Sequence, residues 1–208
     1  MEKIVIIGSS GAGKSTLARA LGALLKINVF HLDRLFWQPD WKGKTRDTRI
    51  DILQALVQEK RWIIEGTYLN SSEELHLNAA DAIIFLNTPP LVCLQRIIKR
   101  HCEYRGRSRR DIPMGCTDKL TLHHMLKVLF FPLQDGRTLK QKLRNYKAKQ
   151  IIWLCSAKEV KGFLEQQGQN VNDKRHVPSE ERRTNLDMKS YPGLFASILQ
   201  RFSSLGRA

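Results

Sequence analysis

The feature that most constrains the fold of this chain lies within its first 25 residues. A short apolar run, Ile4–Ile7, is followed by the glycine-rich loop GSSGAGKST at residues 8–16, after which leucines recur at helical spacing. Such an apolar run is typical of a strand that is buried on both faces of a parallel sheet. The order of strand, glycine loop and helix therefore predicts the first unit of an α/β fold.

The glycine loop satisfies the pattern GxxxxGK[ST] through Gly8, Gly13, Lys14 and Ser15. Glycines allow backbone N–H groups to converge on phosphates, and the helix N-terminus adds its positive end. We expect Lys14 to reach the β- and γ-phosphates of ATP and the Ser15 hydroxyl to bind Mg²⁺; a chance glycine-rich turn is the alternative. The predicted ATP-binding residues are Gly8, Ser9, Ser10, Gly11, Ala12, Gly13, Lys14, Ser15 and Thr16.

Strands and helices alternate along the rest of the chain. Four further runs, at residues 28–32, 61–64, 82–86 and 150–154, have the apolar character of buried strands. This alternation predicts a three-layer α/β sandwich with a central parallel five-stranded sheet and helices on both faces.

Several helix boundaries are predicted from end signals. Thr88-Pro89-Pro90 is expected to begin a helix with Thr88 as its cap, and helical patterns return at 120–131 and 136–148. The capping box Ser156–Glu159 is expected to open a last helix that ends at Gly168.

Two carboxylates follow predicted strands. Ligands of parallel sheets bind at the carboxyl ends of the strands, where Asp33 and Glu65 both lie. We expect Asp33 to take a proton from an acceptor hydroxyl or to hold Mg²⁺ through water, and Glu65 to bind Mg²⁺ through water. The alternatives are a turn or cap residue for Asp33 and a solvated strand end for Glu65.

A basic stretch at about residues 101–119 resembles a loop or lid. Planar guanidinium groups suit phosphates, and an arginine that closes over the transferred group stabilises its charge. The catalytic candidates are therefore Lys14, Asp33, Arg100 and Arg105, with Arg96 and Arg107 as further phosphate contacts. A solvated basic face is the alternative.

The formal net charge of +15 predicts attraction to polyanions. It is concentrated in part at residues 137–149, which carry six basic residues and no acidic one. This segment is either the solvated face of a helix or a nucleic-acid contact.

Four cysteines occur without a CxxC pair, and no apolar run in the sequence is long enough to cross a bilayer, so we expect neither a membrane span nor a secretory leader. These observations predict a soluble, cytoplasmic protein with free thiols. His101, Cys102, Cys116, His123 and His124 lack the close pairing of structural zinc sites, so we do not expect a metal there.

The chain beyond residue 168 differs from the rest in composition and hydrophobic pattern. Residues 169–189 are polar and without periodicity, which predicts that 1–168 is one domain and 169–208 a mobile extension. Apolar residues between 194 and 205 are spaced for a short terminal helix, which would rest on the body, fray or contact a membrane surface.

Several segments together carry a family resemblance. The loop GSSGAGKST, the segments HLDRLFW and WIIEGTY, and the basic EYRGRSRRD followed by PMGC resemble the bacterial topology modulation proteins, which are grouped with adenylate kinase and related P-loop kinases. The resemblance covers about residues 1–167. It implies a P-loop kinase core with a parallel sheet and a lid, and ATP binding at Gly8, Gly13, Lys14 and Ser15.

The resemblance also implies a limit on the activity. Glu65-Gly66 is similar to the Asp-Gly that ends the third strand of adenylate kinases, but Thr67-Tyr68-Leu69 stands where those enzymes have Phe-Pro-Arg. The arginine that would bind a nucleoside monophosphate is missing there, so we do not expect an adenylate kinase.

Three hypotheses for the function remain open on the sequence. The first is transfer of the γ-phosphoryl group of ATP to a small acceptor, either a nucleotide or a hydroxylated metabolite, in which the aromatic stretch Trp37–Trp41 either walls the acceptor pocket or fills core. The second is an ATP-switched nucleic-acid-binding regulator of DNA topology, and the third is a degenerate ATPase that acts through a protein partner. The sequence does not indicate the oligomeric state.

Overall fold

A parallel sheet lies at the centre of the chain, of which the computed structural model describes residues 1–68, 74–104, 120–146 and 148–176. The elements in chain order are β1 (Lys3–Gly8), α1 (Lys14–Leu25), β2 (Val29–His31), α2 (Leu32–Phe36), β3 (Trp37–Gln38), β4 (Lys42–Gly43), α3 (Arg46–Gln58), β5 (Trp62–Glu65), α4 (Leu75–Ala79), β6 (Ala82–Leu86), α5 (Pro90–Glu103), α6 (Leu122–Phe130), α7 (Asp135–Leu143), β7 (Gln150–Leu154) and α8 (Ala157–His176).

The central sheet has five strands in the order β2-β5-β1-β6-β7, and every neighbouring pair is parallel. β1 occupies the middle, between β5 and β6, and its last residue, Gly8, is paired with Leu86. The strands β3 and β4 form a separate antiparallel pair. The glycine loop therefore leaves the sheet at its centre, where it can meet residues from the strands on either side.

Alternate residues of β1 enter two different hydrophobic clusters. Ile4 and Ile6 pack with residues of α1, α5, α6 and α8, whereas Val5 and Ile7 pack with residues of α2, α3, α4 and α7. All four side chains are fully buried, because helices cover both faces of the sheet. The predicted three-layer sandwich with a five-stranded parallel sheet is confirmed.

Two predicted boundaries near the ligand-binding edge are wrong. The second strand ends at His31 rather than residue 32, because Leu32 begins α2 and is fully buried beneath Gly66. Asp33 consequently lies in the first turn of a short helix and not at a strand end. Helix α5 begins at Pro90 with Pro89 as its cap residue, while the Thr88 hydroxyl, the predicted cap, donates to the carbonyl of Ala12 instead.

The predicted end of the last helix at Gly168 is also wrong. Gly168 does not adopt a positive φ, and α8 continues through it to His176. A Cβ atom built at Gly168 would lie 3.7 Å from Leu24 of α1. A glycine inside a helix costs only about 1 kcal/mol, so it ends a helix only where the backbone turns left-handed.

The chain divides into two units, Met1–Asn172 and Asp173–Ala208. The first contains the sheet and its helices; of the second, the structure describes only the helical residues 173–176. The predicted extension at 169–208 therefore begins as a continuation of α8, and the predicted terminal helix lies outside the described residues. None of the described helices combines the length and apolar character needed to span a bilayer.

Candidate functional site

The glycine loop between β1 and α1 has a backbone that only glycine adopts readily. Gly8, Gly11 and Gly13 have φ values of +148°, +77° and +103°. A Cβ atom at Gly11 would lie 2.4 Å from the carbonyl oxygen of Cys93, and one at Gly8 would lie 2.6 Å from that of Leu86. Left-handed backbone and close approach both require these glycines, and Gly13 places the first turn of α1 directly after the loop.

Polar contacts hold the loop in this shape. The Lys14 ammonium donates to the carbonyl of Ser9 at 3.0 Å, and the amide of Ala12 donates to the same carbonyl at 3.2 Å. From α5, a guanidinium nitrogen of Arg96 donates to the carbonyl of Ala12 at 3.1 Å. The Ser9 hydroxyl is buried and has no hydrogen-bond partner among the described residues. An unsatisfied donor inside a glycine loop fits the binding of a phosphate oxygen.

The carboxylate of Glu65 joins the loop to β5. Its Oε1 atom accepts from the Ser15 hydroxyl at 3.0 Å and from Nδ1 of His31 at 2.7 Å. The Glu65 residue is only 3% exposed, so the alternative of a solvated strand end is wrong. Burial alone would raise the pKa of this carboxyl, but the hydrogen bond from His31 and the charge of Lys14 outweigh burial and hold the pKa below its ordinary value.

A hydroxyl and an ionised carboxylate next to the phosphate loop are hard oxygen donors. Mg²⁺ prefers such ligands and is usually held by one or two protein oxygens together with water and phosphate oxygens. The Ser15 and Glu65 side chains therefore fit the predicted magnesium site.

The residues after Glu65 tie the phosphate loop to the neighbouring carboxylate. The Thr67 hydroxyl donates to the carbonyl of Gly8 at 2.7 Å and accepts from the amide of Gly8 at 2.9 Å. The next residue, Tyr68, donates its hydroxyl proton to Oδ1 of Asp33 at 2.7 Å. Two consecutive side chains thus connect the start of the loop with the predicted acceptor-binding carboxylate.

A short hydrogen-bond chain fixes Asp33. The indole N–H of Trp37 donates to the Tyr68 hydroxyl oxygen at 2.8 Å, and the Tyr68 ring packs edge-on against Phe36 with centroids 4.8 Å apart. Burial, followed by the negative charge of Asp33, raises the pKa of Tyr68 well above its ordinary value. Tyr68 therefore keeps its proton at neutral pH and shares it in a hydrogen bond with the exposed carboxylate of Asp33.

Sequence reasoning missed His31, Thr67 and Tyr68 as site residues. His31 faces Glu65 in the register of β2 and β5, which a reading of isolated strands does not provide. In the sequence, Thr67 and Tyr68 stand out only as a departure from the adenylate kinase pattern. The one available signal was their position immediately after Glu65, at the carboxyl end of a strand.

The structure describes two of the four arginines that the sequence predicts as phosphate contacts. Arg96 reaches the loop, and Arg100 lies one helical turn further along α5, where it is half-buried. The predicted lid begins too early, because α5 continues to Glu103. The rest of the predicted lid, with Arg105 and Arg107, lies outside the described residues.

Among the described residues no group of three or more His, Cys, Asp or Glu side chains could hold a metal ion. His124, from the cluster in which no metal was expected, instead lies with Nε2 3.2 Å from the Ser10 hydroxyl of the loop. The structure thus gives this histidine a contact with the phosphate loop.

The basic segment at residues 137–149 is partly engaged within the chain. Lys142 pairs with Glu74, and the Lys149 ammonium donates to the carbonyls of Asn78 and Ala80 at 2.7 and 2.8 Å. Leu139 is buried on the inner face of the same helix. These lysines anchor α7 and the start of β7 to the segment around α4. Their contacts within the chain do not support the alternative of a nucleic-acid contact.

Comparison with known proteins places the fold. No protein-family model matches the chain, and no curated protein matches it. Among solved structures, the chain is similar to a shikimate kinase from Acinetobacter baumannii in complex with shikimate, with a TM-score of 0.56 and 16% identity over 85% of this chain and 96% of that chain. This chain has a P-loop kinase-like fold.

Two further solved structures are similar at a lower level. A shikimate kinase from Bacteroides thetaiotaomicron matches with a TM-score of 0.47 and 17% identity, over 81% of this chain and 97% of that chain. A gluconokinase from Sinorhizobium meliloti 1021 matches with a TM-score of 0.44 and 17% identity, over 84% and 98%. Only the first of these three structures is similar enough to show the fold, and the resemblance to topology modulation proteins stays a prediction.

Proposed function

We propose that this protein is an ATP-dependent phosphotransferase that moves the γ-phosphoryl group of ATP to a small acceptor. The observation that carries the proposal is the glycine loop at the centre of the sheet, with Lys14 folded across it and Ser15 bonded to Glu65. Asp33 is connected to the same loop through Tyr68 and Thr67. The candidate groups for binding phosphate and for accepting a proton therefore lie together at the carboxyl ends of the parallel strands.

The phosphate loop would bind the nucleotide. Amide groups of residues 8–16 and the N-terminus of α1 supply partial positive charge, and Gly8, Gly11 and Gly13 allow these amides to converge. The Lys14 ammonium would exchange its contact with Ser9 for the β- and γ-phosphates. The buried Ser9 hydroxyl is a further donor for a phosphate oxygen.

Ser15 and Glu65 would hold magnesium, the carboxylate through water. Bound there, the ion would neutralise charge on the phosphates and fix their orientation. The chain's own contribution is the hydrogen bond from Ser15 to Glu65, which sets the direction of the hydroxyl.

Asp33 would orient the acceptor and take its proton. In the transfer step the acceptor oxygen forms a bond to the γ-phosphorus, the bond to the β–γ bridging oxygen breaks, and the hydroxyl proton passes to Asp33. The bond from Tyr68 fixes the carboxylate before the acceptor arrives. A small hydroxylated molecule, of the kind that the similar shikimate kinase holds, suits this single exposed carboxylate.

Arg96 and Arg100 would add positive charge near the loop. Arg96 already contacts the loop carbonyl of Ala12, and Arg100 follows one turn later on the same helix. A planar guanidinium group can donate two parallel hydrogen bonds to one phosphate, so both residues are candidates for stabilising charge on the transferred group.

The proposal is tested by measuring ADP formation from ATP–Mg²⁺ with a panel of acceptors. The panel comprises nucleoside monophosphates, nucleosides, shikimate, gluconate and simple sugars, and the proteins are the wild type and Lys14→Ala. We expect at least one acceptor to accelerate ADP formation by the wild type. Lys14→Ala is expected to lose roughly 10²–10³-fold or more of that rate, as when one charge-stabilising donor is removed.

Lys161→Ala is the control, because it removes an exposed cation on α8 that pairs with Glu165 and has no part in the proposed site. Wild-type protein that binds ATP but forms no ADP with any acceptor would refute the phosphotransferase. ADP formation that no acceptor accelerates would instead indicate an ATPase, the third hypothesis from the sequence.

A further inference from the structure

Two donors share one oxygen atom of Glu65. The Ser15 hydroxyl and Nδ1 of His31 both lie within hydrogen-bond distance of Oε1, at 3.0 and 2.7 Å. The His31 and Glu65 side chains are 13% and 4% exposed, and the two residues face each other across β2 and β5. The contact between them is therefore part of the sheet and not a mobile surface pair.

The chemistry of the three groups fixes the direction of each bond. An ionised carboxylate only accepts, so Nδ1 of His31 must carry a hydrogen and donate it. The Ser15 hydroxyl has a single hydrogen, which it also donates to Glu65. The lone pairs of the Ser15 oxygen are consequently left for a cation, which is the orientation that a hydroxyl ligand of Mg²⁺ requires.

We propose that His31 is a positioning residue for the magnesium site. It holds the Glu65 carboxylate in one orientation, and Glu65 in turn keeps the hydrogen of the Ser15 hydroxyl directed away from the ion, so that the oxygen lone pairs face it. The inference rests on the proposed function, because it assumes that Ser15 and Glu65 bind magnesium with the nucleotide. Without His31, Glu65 is free to rotate, and the direction of the hydroxyl is no longer fixed.

A purely structural role for His31 makes a different prediction. A side chain that only fills space between β2 and β5 would change the stability of the fold, and it would change nucleotide binding equally with and without magnesium. A positioning role changes the dependence on magnesium. The experiment therefore has to measure the linkage between the two ligands and not activity alone.

The test is calorimetric titration with ADP, first in EDTA and then across a series of magnesium concentrations. The variants are His31→Leu, which removes the donor, and His31→Asn, whose amide N–H lies close to the position of Nδ1. We expect His31→Leu to require roughly 10–100-fold more magnesium for half-maximal enhancement of ADP binding, as is typical when a group that orients a metal ligand is lost. ADP affinity in EDTA should not change, and His31→Asn should stay near the wild type.

His123→Leu is the matched control, since His123 is exposed on α6. Wild type and His31→Leu with the same magnesium dependence would overturn the inference alone. Wild-type protein that binds no ADP would overturn the proposed function, and ADP binding indifferent to magnesium would overturn the metal site.

His31→Phe, which keeps a flat ring without the donor, replaces His31→Leu if the latter does not fold. If neither folds, His31→Gln, whose amide reaches the position of Nε2 and not that of Nδ1, takes their place: a raised magnesium requirement supports the inference, and the wild-type requirement contradicts it.

Discussion

The two sides of the candidate site are built by different means. The phosphate side is a backbone structure in which three glycines with positive φ shape nine consecutive residues, 8–16. The acceptor side is a side-chain structure in which Trp37, Tyr68 and Asp33 form a hydrogen-bond chain across 31 and 35 positions of sequence. A backbone site is specified locally, whereas a side-chain site depends on the tertiary fold.

This difference predicts how each side responds to substitution. Changes in the loop should act through strain and collision as well as through binding, because the backbone itself is the site. Substitutions on the acceptor side should lower the rate of phosphoryl transfer while leaving nucleotide binding and much of the stability unchanged.

The largest expected effect is the loss of transfer in Asp33→Asn. If Asp33 takes the acceptor proton, this variant should lower kcat by roughly 10²–10⁴-fold, the usual contribution of a general base. ADP affinity measured by calorimetry should be unchanged, since Asp33 contacts Tyr68 and not the loop. The rate is measured with the acceptor that gives the highest wild-type rate.

Asp40→Asn is the control for Asp33→Asn. Asp40 is exposed in the turn between β3 and β4 at a φ of +60°, where asparagine is well tolerated. Equal losses in the two variants would mean that the segment, and not the Asp33 carboxylate, governs the rate.

The next largest effect separates two glycines of the loop. Gly11→Ala combines a φ of +77° with a Cβ atom 2.4 Å from a backbone carbonyl and 2.9 Å from Ile97, so it should lower the free energy of unfolding by about 3 kcal/mol or more. Gly13→Ala meets only Arg96 at 3.6 Å and should cost about 1–2 kcal/mol from strain alone. Urea denaturation of both variants gives the comparison.

Equal destabilisation by the two glycine variants would show that the loop moves away from α5 on substitution. In that case the close approach of Gly11 to Cys93 would not be a fixed feature of the site.

The sequence predicts the backbone side because its information is local. The strands at 82–86 and 150–154 are predicted with their observed ends, and a helix follows the loop as expected, beginning at Lys14. Apolar runs buried on both faces and a glycine motif with fixed spacing are each readable within ten residues. The Lys14, Ser15 and Glu65 side chains come together because the strand order follows from the fold class.

The acceptor side could not be predicted in the same way. The α2 helix, the β3–β4 pair and α4 are short elements set by tertiary packing, as Leu32 beneath Gly66 illustrates. The partners of Asp33 and Glu65 are side chains more than 30 residues away, and no local pattern specifies them. The sequence therefore predicts that Asp33 lies at the carboxyl ends of the strands, as observed. It places Asp33 at the end of a strand and not in α2, and it does not predict the hydrogen bond from Tyr68.

A smaller effect is expected for Tyr68→Phe. This variant keeps the ring against Phe36 but leaves the Trp37 N–H and Asp33 without their shared partner. We expect about a 10-fold loss of kcat from misplacement of the carboxylate, and about 1 kcal/mol of stability from the hydrogen bonds. Steady-state kinetics and urea denaturation measure the two effects.

Tyr104→Phe, at the exposed end of α5, is the control for Tyr68→Phe. If Tyr68→Phe transfers phosphate at the wild-type rate, Asp33 is positioned without the Tyr68 hydroxyl. The hydrogen-bond chain of side chains would then not be what builds the acceptor side.

The smallest effect concerns a side chain that anchors β1, the strand from which the phosphate loop emerges. The Asp81 carboxylate accepts from the amides of Glu2 and Lys3 at 2.9 and 3.0 Å. Burial opposes ionisation, but the two N–H donors together with nearby positive charge outweigh it and lower the pKa of Asp81 below its ordinary value. Since the folded state binds this proton more weakly than the unfolded state, the stabilisation is present above roughly pH 4 and is lost as pH falls through the lower folded pKa.

Asp81→Asn should therefore lower the free energy of unfolding by about 1 kcal/mol at pH 7, and its difference from the wild type should shrink on acidification below roughly pH 4. The exposed Asp51→Asn on α3 is the control. ADP affinity should not change at pH 7, because the glycines and not the start of β1 determine the loop conformation. Weaker ADP binding in Asp81→Asn would show that a distant side chain also shapes the phosphate side, and that the glycines alone do not determine the loop conformation.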